Sequence, residues 1–345
     1  NLNTYQNINW RDNLGNRWRI NTGISYSTNK DDILNELQDA NNQKLVITVP
    51  DFYAFKNFKV INKAQYAQAR VVFEKSLNGL NAIRFGSDYF YSNEKSTYRL
   101  YDGTKFNETI KETIAAGFAE SDIYITNSLA AKLGVRTEHS ALLNKWNLAP
   151  RASLAYQIGK HSSAGFAYGI FYQNPERKYL PASTLLDFSK ATHYILQYQV
   201  LTGTQTLRME LFYKKYEDLY KTAYSSNGRE VAANNNGSGY AQGFELFWRD
   251  KKTIKNVDYW ISYSFLDTKR NYLDFPYSVT PSYAAQHVFS IVCKRWFVKM
   301  NCSFGFTYVY ASGRPYYNPN NPIYLGDKTK GYHNLSLTAS YLTSI

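Results

Sequence analysis

Apolar and polar residues alternate with a period of two along most of the chain, and the pattern recurs about every 20 to 25 residues. Trp18, Ile20, Thr22, Ile24 and Tyr26 are interleaved with Arg19, Asn21, Gly23 and Ser25. Successive side chains of a strand point to opposite faces, so this register predicts a strand with one apolar and one polar or small face. The same holds for Phe166, Tyr168, Ile170 and Tyr172, and for Val257, Tyr259, Ile261, Tyr263 and Phe265. It holds again for Cys302, Phe304, Phe306, Tyr308 and Tyr310, and for the closing Leu335, Leu337, Ala339 and Tyr341. The pattern predicts about 15 strands of roughly 9 to 14 residues, longer than soluble strands and suited to a tilted bilayer crossing.

The connections sort by length. Short turns are predicted at Asn13–Asn16, Asn78–Leu80, Gly159–Ser162, Thr202–Thr204 and Phe297–Val298. Long polar segments are predicted at Asn29–Asn62, Ser92–Asn107, Asn174–Lys190, Tyr216–Gly239, Thr268–Ala285 and Ala311–Gly331. Outer-membrane barrels place short turns on the periplasmic side and long loops outside. The expected fold is therefore all-β, a transmembrane antiparallel β-barrel. Trp10 and Trp18, Trp248 and Trp260, and Trp296 lie near strand ends, where interfacial aromatic girdles belong.

Composition narrows the picture. The 345 residues include 32 Tyr, 20 Phe and 6 Trp, an aromatic load that excludes a disordered chain. No run approaches the length of an apolar transmembrane helix. Two cysteines exclude a disulfide scaffold and a multi-cysteine zinc module. If Phe297 and Val298 form a two-residue turn, Cys293 and Cys302 face each other on adjacent strands. That leaves two readings open, a pair of small lipid-facing residues and a strained cross-strand disulfide.

Chemistry is sparse. His139, His161, His193, His287 and His333 are dispersed, and no HExxH, GxSxG or phosphate-loop motif occurs. No catalytic residue, metal or organic cofactor is expected, and the chain is not read as an enzyme. The formal charge is +13, yet the cations form no basic run or helix, so nucleic acid is not an expected partner. Arg19, Arg84, Lys132, Arg208 and Lys214 fall on polar strand faces, with Glu74, Asp88, Glu210 and Glu245 available as partners. Arg177, Lys178, Arg229, Arg270 and Arg314 fall in the long segments.

From Asn147 onward the residues resemble a known family. Asn147-Leu148-Ala149-Pro150-Arg151-Ala152-Ser153-Leu154-Ala155-Tyr156 resembles a barrel strand of TonB-dependent outer-membrane receptors, as does Tyr168-Gly169-Ile170-Phe171-Tyr172-Gln173-Asn174-Pro175. Gly134-Val135-Arg136-Thr137-Glu138 is similar to another strand end. Asn234-Asn235-Asn236-Gly237-Ser238-Gly239-Tyr240-Ala241-Gln242-Gly243-Phe244-Glu245 is similar to a loop-to-strand signature, and Ala311-Ser312-Gly313-Arg314-Pro315-Tyr316 to a late strand. The set resembles receptors of Bacteroidetes-type bacteria. The resemblance implies a barrel of about 22 strands filled by a plug domain. Neither plug nor TonB box occurs in these residues, so residues 1–345 are expected to be one partial barrel domain.

The implied function is active import of a scarce nutrient across the outer membrane, with energy delivered by the TonB complex through the plug. The implied partners are outer-membrane lipid and lipopolysaccharide, and a small-molecule, oligosaccharide or peptide ligand. A surface lipoprotein lid is left open. Binding residues concentrate on loops held by a rigid scaffold. On that ground Arg177, Tyr179, Tyr224, Arg229, Tyr272, Tyr277, Arg314, Tyr316 and Tyr317 are the candidate ligand contacts, through ring stacking and charge-assisted hydrogen bonds. A passive porin and a soluble all-β carbohydrate-binding or adhesive protein are the alternatives.

Overall fold

The structure, a computed structural model, describes residues 2–45, 56–176, 180, 186–224 and 230–343. Fifteen strands form one antiparallel sheet in which each strand is hydrogen-bonded to its neighbours in sequence. Contacts divide the chain into two units, residues 1–121 with 135–148, and residues 122–134 with 149–345. No helix is long and apolar enough to cross a membrane.

The first unit holds β1 (Leu2–Gly15), β2 (Trp18–Asn35), β3 (Phe58–Ser76), β4 (Ala82–Arg99) and most of β5 (Lys105–Tyr124). Its rungs show why two media are needed. Ile20, Phe73 and Phe85 stand side by side on β2, β3 and β4, and the two phenyl rings stack at 5.6 Å. One residue away, on the opposite face, Arg19, Glu74 and Arg84 form the next rung, with Glu74 3.5 Å from Arg19 and 2.6 Å from Arg84. Higher on that polar face Asp88 receives Arg70 at 3.4 Å and Arg136 at 2.5 Å, and Arg136 also reaches Glu138 at 2.7 Å. The predicted pairing of polar-face cations with Glu74 and Asp88 is therefore present. The apolar face remains exposed, with Ile24, Phe85 and Tyr89 uncovered by protein. A patch of that size on a soluble protein would be a binding or aggregation surface.

The second unit holds β8 (Ser162–Gln173), β9 (Ser189–Leu201), β10 (Gln205–Tyr224), β11 (Glu230–Asp250), β12 (Val257–Asn271), β13 (His287–Phe297), β14 (Cys302–Ala311) and β17 (Tyr332–Tyr341). A small hairpin of β15 (Pro315–Tyr316) and β16 (Asp327–Lys328) lies apart from the main sheet. The strands β6 (Leu129–Ser140) and β7 (Lys145–Gln157), like β5, contribute to both units. At the short-turn end, Asp250 closes the connection between β11 and β12. Its carboxylate accepts from Lys252 N at 2.7 Å, Thr253 N at 2.9 Å, Thr253 Oγ1 at 2.5 Å and Gln205 Nε2 at 2.9 Å. Those donors, Thr253 first, hold its pKa well below the ordinary carboxylate range.

Several expectations need correction. Strands of the main sheet run from 10 residues in β14 and β17 to 21 in β11, longer at the upper limit than the pattern implied. Ser92–Asn107 is not a long loop, because β4 continues to Arg99 and β5 resumes at Lys105. Tyr216–Gly239 is mostly strand as well, β10 reaching Tyr224 and β11 starting at Glu230. Beyond an apolar belt both faces of a strand meet water, so the alternation fades while the hydrogen-bond ladder continues. Trp260 is not on the apolar face; Arg249 and Lys294 lie over it at 5.3 and 5.8 Å on the polar side.

The cysteine geometry also differs. The turn after β13 is a short 3-10 segment, Val298–Met300, closed by Asn301 at φ 47°. Phe297 therefore pairs with Cys302, and Cys293 pairs with Phe306. Two extra turn residues shift the register, leaving the cysteines about 13 Å apart along the strand direction, and both are free thiols.

Candidate functional site

At the long-loop end of the second unit, aromatic side chains gather around one arginine. Arg270 is the penultimate residue of β12, on the polar face, and its backbone N–H donates to Val279 O at 2.9 Å. Val279 N returns a bond to Arg270 O at 3.1 Å, so the segment after β12 folds back over the strand end. The guanidinium lies 4.3 Å from the ring centre of Tyr216 and 5.7 Å from those of Tyr272 and Tyr283. These rings present their negative faces to the cation. Its Nε is buried without a hydrogen-bond partner, and no carboxylate pairs with the group among the described residues.

The access of Arg270 to Tyr216 depends on a glycine. Tyr216 pairs with Gly239, and Gly239 with Arg270, in one row across β10, β11 and β12. A Cβ on Gly239 would come within 2.9 Å of Arg270 Cγ and 2.6 Å of Lys269 O. The missing side chain lets the arginine cross β11 and lie on the tyrosine.

From Tyr272 the aromatic contacts continue. Tyr272 meets Phe275 edge-on at 4.8 Å, Phe275 meets Tyr324 at 5.4 Å, and Tyr324 meets Tyr317 at 5.7 Å. Phe275 is buried. The hydroxyl of Tyr277 accepts from Tyr324 N at 2.9 Å, tying the segment after β12 to the one before β16. Lys221 Nζ donates to Asn271 Oδ1 at 2.8 Å and to Phe275 O, fixing the same segment to β10. Two caps complete the frame. Asp327 accepts from Asn318 and Asn321, both at 2.6 Å, and those amides lower its pKa. Tyr220 donates to the carbonyls of Gln173 and Asp187 at 3.1 and 3.0 Å, and burial pushes its phenol up to about 12. Burial also raises the Tyr283 phenol, against the pull of Arg270.

Of the candidates from sequence, Tyr272, Tyr277 and Tyr317 come together here. Tyr316 is exposed on the small hairpin. Arg314 is bound to Thr329 through its backbone, while its guanidinium meets no ring or carboxylate among the described residues. Arg177, Tyr179 and Arg229 lie outside the described residues, as does the side chain of Tyr224. Sequence reasoning missed Tyr216, Tyr283, Phe275 and Tyr324 and gave Arg270 no role in the site. The available signal was parity: Tyr216 continues the polar-face series Arg208, Glu210, Phe212 and Lys214.

The family model described as TonB dependent receptor-like, beta-barrel matches residues 1–344. The chain belongs to that family. Solved structures of the same barrel architecture are similar in fold at low sequence identity. The FrpB iron transporter from Neisseria meningitidis has 13% identity, covering 99% of this chain and 57% of its own, at a TM-score of 0.73. The pyoverdine outer membrane receptor FpvA from Pseudomonas aeruginosa PAO1 has 13% identity, covering 97% and 54%, at 0.72. The ferric-catecholate import receptor Fiu from E. coli K12 has 12% identity, covering 99% and 58%, at 0.68. The chain spans about half the length of the solved structures that it matches. No curated protein is similar enough in sequence to count as a match.

For a TonB-dependent receptor barrel, the two faces acquire names. The apolar face with Ile24, Tyr89 and Leu211 is the lipid side, and the face with Arg19, Asp88 and Arg270 is the lumen side. The Arg270 cluster then stands at the lumen wall beneath the long loops.

Proposed function

We propose that this barrel belongs to an outer-membrane receptor that binds an anionic ligand carrying planar rings and imports it actively through the TonB system. The uncompensated Arg270 guanidinium among three tyrosines carries the reading. A half-buried cation on a lumen wall, its Nε shielded and without a carboxylate partner among the described residues, is matched by a ligand anion. The connected rings from Tyr272 to Tyr317 offer stacking surface beside it. Ferric chelates with carboxylate, hydroxamate or catecholate groups fit this chemistry, and the structural neighbours whose names refer to iron, pyoverdine or ferric catecholate support that choice. The work is binding and passage, with no bond made or broken by the barrel.

The test uses cells producing the full-length protein and a panel of radiolabelled ferric chelates, neutral oligosaccharides and peptides. Energy-dependent uptake of an anionic ferric chelate, lost in Arg270→Ala and abolished by a protonophore, is the expected result. Uptake that ignores the protonophore would make the protein a passive pore. Uptake of neutral sugars or peptides alone, unchanged in Arg270→Ala, would overturn the ligand class.

A further inference from the structure

A second group of cations stands at the short-turn end of the lumen wall, far below Arg270. Arg249 on β11 pairs with Trp260 on β12, and Lys294 on β13 pairs with Asp258, one row lower. The two cations therefore reach one indole from the strands on either side of it, at 5.3 and 5.8 Å from the ring centre. Each is attracted to the ring, but two cations drawn to the same ring repel each other.

Charge on this part of the wall does not balance. Arg249 spends its fork on Asp258, with Nε 3.0 Å from Oδ1 and Nη2 2.6 Å from Oδ2. Lys251 approaches the same Oδ2 at 3.9 Å. Lys294 is exposed and has no ion-pair partner among the described residues. Arg208, exposed one row above Arg249 and paired with Phe247, likewise lacks one. Four cations thus meet one carboxylate at this end of β10 to β13. Asp250 is closed off inside its turn by four hydrogen bonds. Glu210 and Glu245, paired directly across β10 and β11, stand about 13 Å above the Arg249 row along the strands.

We propose that Arg249, Lys294 and Trp260 form an exit station, where an imported anion is held once more before it leaves the lumen at the short-turn side. The proposal rests on the import reading above and extends it to a second point on the same wall. Arg270 and Trp260 share the lumen face of β12, about 25 Å apart along the membrane normal for a strand tilted about 40°. The occupant is a carboxylate or catecholate oxygen of the ligand. Lys294, free of any carboxylate, donates to it, and Arg249, already tied to Asp258, adds charge. Trp260 is the positioning residue that keeps both cations facing one spot. Water screens the exposed Lys294 more than the half-buried Arg270, so the anion is held less firmly here and can be released.

The test uses cells producing the full-length receptor and two radioiron probes, ferric citrate and ferric 2,3-dihydroxybenzoate. The probe whose uptake needs energy and falls in Arg270→Ala is carried forward. Surface binding is measured on de-energised cells and saturating uptake on energised ones. Lys294→Gln and Trp260→Leu should bind the probe as wild type does but take it up about tenfold more slowly, the cost of one charge-assisted hydrogen bond. Lys294→Arg, which keeps the cation, should restore most of the rate. Lys255→Gln, in the turn below, should change neither quantity. Wild-type uptake in Lys294→Gln, a loss that Lys294→Arg does not restore, or surface binding lost together with uptake would each remove the station alone. Newly acquired vancomycin sensitivity in Lys294→Gln would assign the cations to sealing the lumen and overturn the station as well. Uptake of neither probe, or uptake that needs no energy, removes the anionic-chelate import reading and the station with it. Heat-modifiable migration checks assembly, and Lys294→Gln, at an exposed side chain, carries the test if Trp260→Leu does not assemble.

Discussion

The Arg270 guanidinium rests 4.3 Å above the ring of Tyr216 although a whole strand separates them, because Gly239 lies between. The arrangement predicts an order of effects. Gly239→Ala should cost about 1 to 3 kcal/mol, since its methyl group meets both Arg270 and the Lys269 carbonyl. Tyr216→Ala should leave the fold nearly unchanged but free the arginine. Arg270→Lys should lose most ligand affinity despite keeping the charge, because an ammonium cannot stack or bind two oxygens in parallel. Chemical denaturation and equilibrium binding on the full-length protein separate the three. Equal affinity in Arg270→Lys would remove the guanidinium from the site.

The lumen ion pairs of the first unit differ in what they contribute. Arg136 bridges Asp88 and Glu138 while largely shielded, its side chain 23% exposed against 56% for Arg70. Arg136→Ala should cost about 2 kcal/mol because shielded Glu138 loses its cation and Asp88 keeps only the more exposed Arg70. Arg70→Ala should cost less than about 1 kcal/mol. Urea unfolding from lipid vesicles measures both, and equal losses would show that shielding is irrelevant here.

The small hairpin of β15 and β16 should be acid-sensitive. Asp327 holds Asn318 and Asn321 through its ionised carboxylate, and its pKa in the fold is lowered by those amides. A depressed carboxylate contributes stability above its unfolded pKa, near 3.9, and loses it as pH falls through the lower folded value. Protection factors of residues 318–327, which divide out the pH dependence of intrinsic amide exchange, should therefore be higher at pH 6 than near pH 3. Asp327→Asn should give the low protection at both.

Facing can be tested one strand apart. Leu211, 51% exposed, lies on the lipid face of β10, and an arginine there should cost about 2 to 4 kcal/mol at the midplane. Gln197 on β9 sits opposite Glu210 on the lumen face, where an arginine gains a carboxylate. Leu211→Arg should reduce the yield of folded barrel sharply and Gln197→Arg should not. The reverse result would invert the assignment of faces.

Much of this was legible in the residues. Strand existence, facing and antiparallel order follow from alternation, since a belt between lipid and lumen enforces period two wherever it passes. The ends of strands were not legible. Along Tyr216–Tyr224 and Glu230–Gly239 the residues carry no period-two trace, yet the backbone ladder between the two strands continues. The turn after β13 was misjudged for a related reason: only backbone geometry shows that Asn301 adopts a left-handed conformation and adds two residues. Tyr272, Tyr277 and Tyr317 could be chosen by type and place. Arg270 required knowing that the row beside it contains a glycine.

The same device occurs lower on the wall, where the ring of Phe212 lies over Gly243 and a methyl group would meet it at 2.6 Å. Each glycine and its cover are thus two halves of one inherited unit. Across descendants of this receptor, a side chain can appear at position 239 or 243 only when its overlying neighbour shrinks and the strand spacing gives way together with it. The lumen lining near the ligand would then change in paired steps, so new ligand preferences should arise through double substitutions more readily than through single ones.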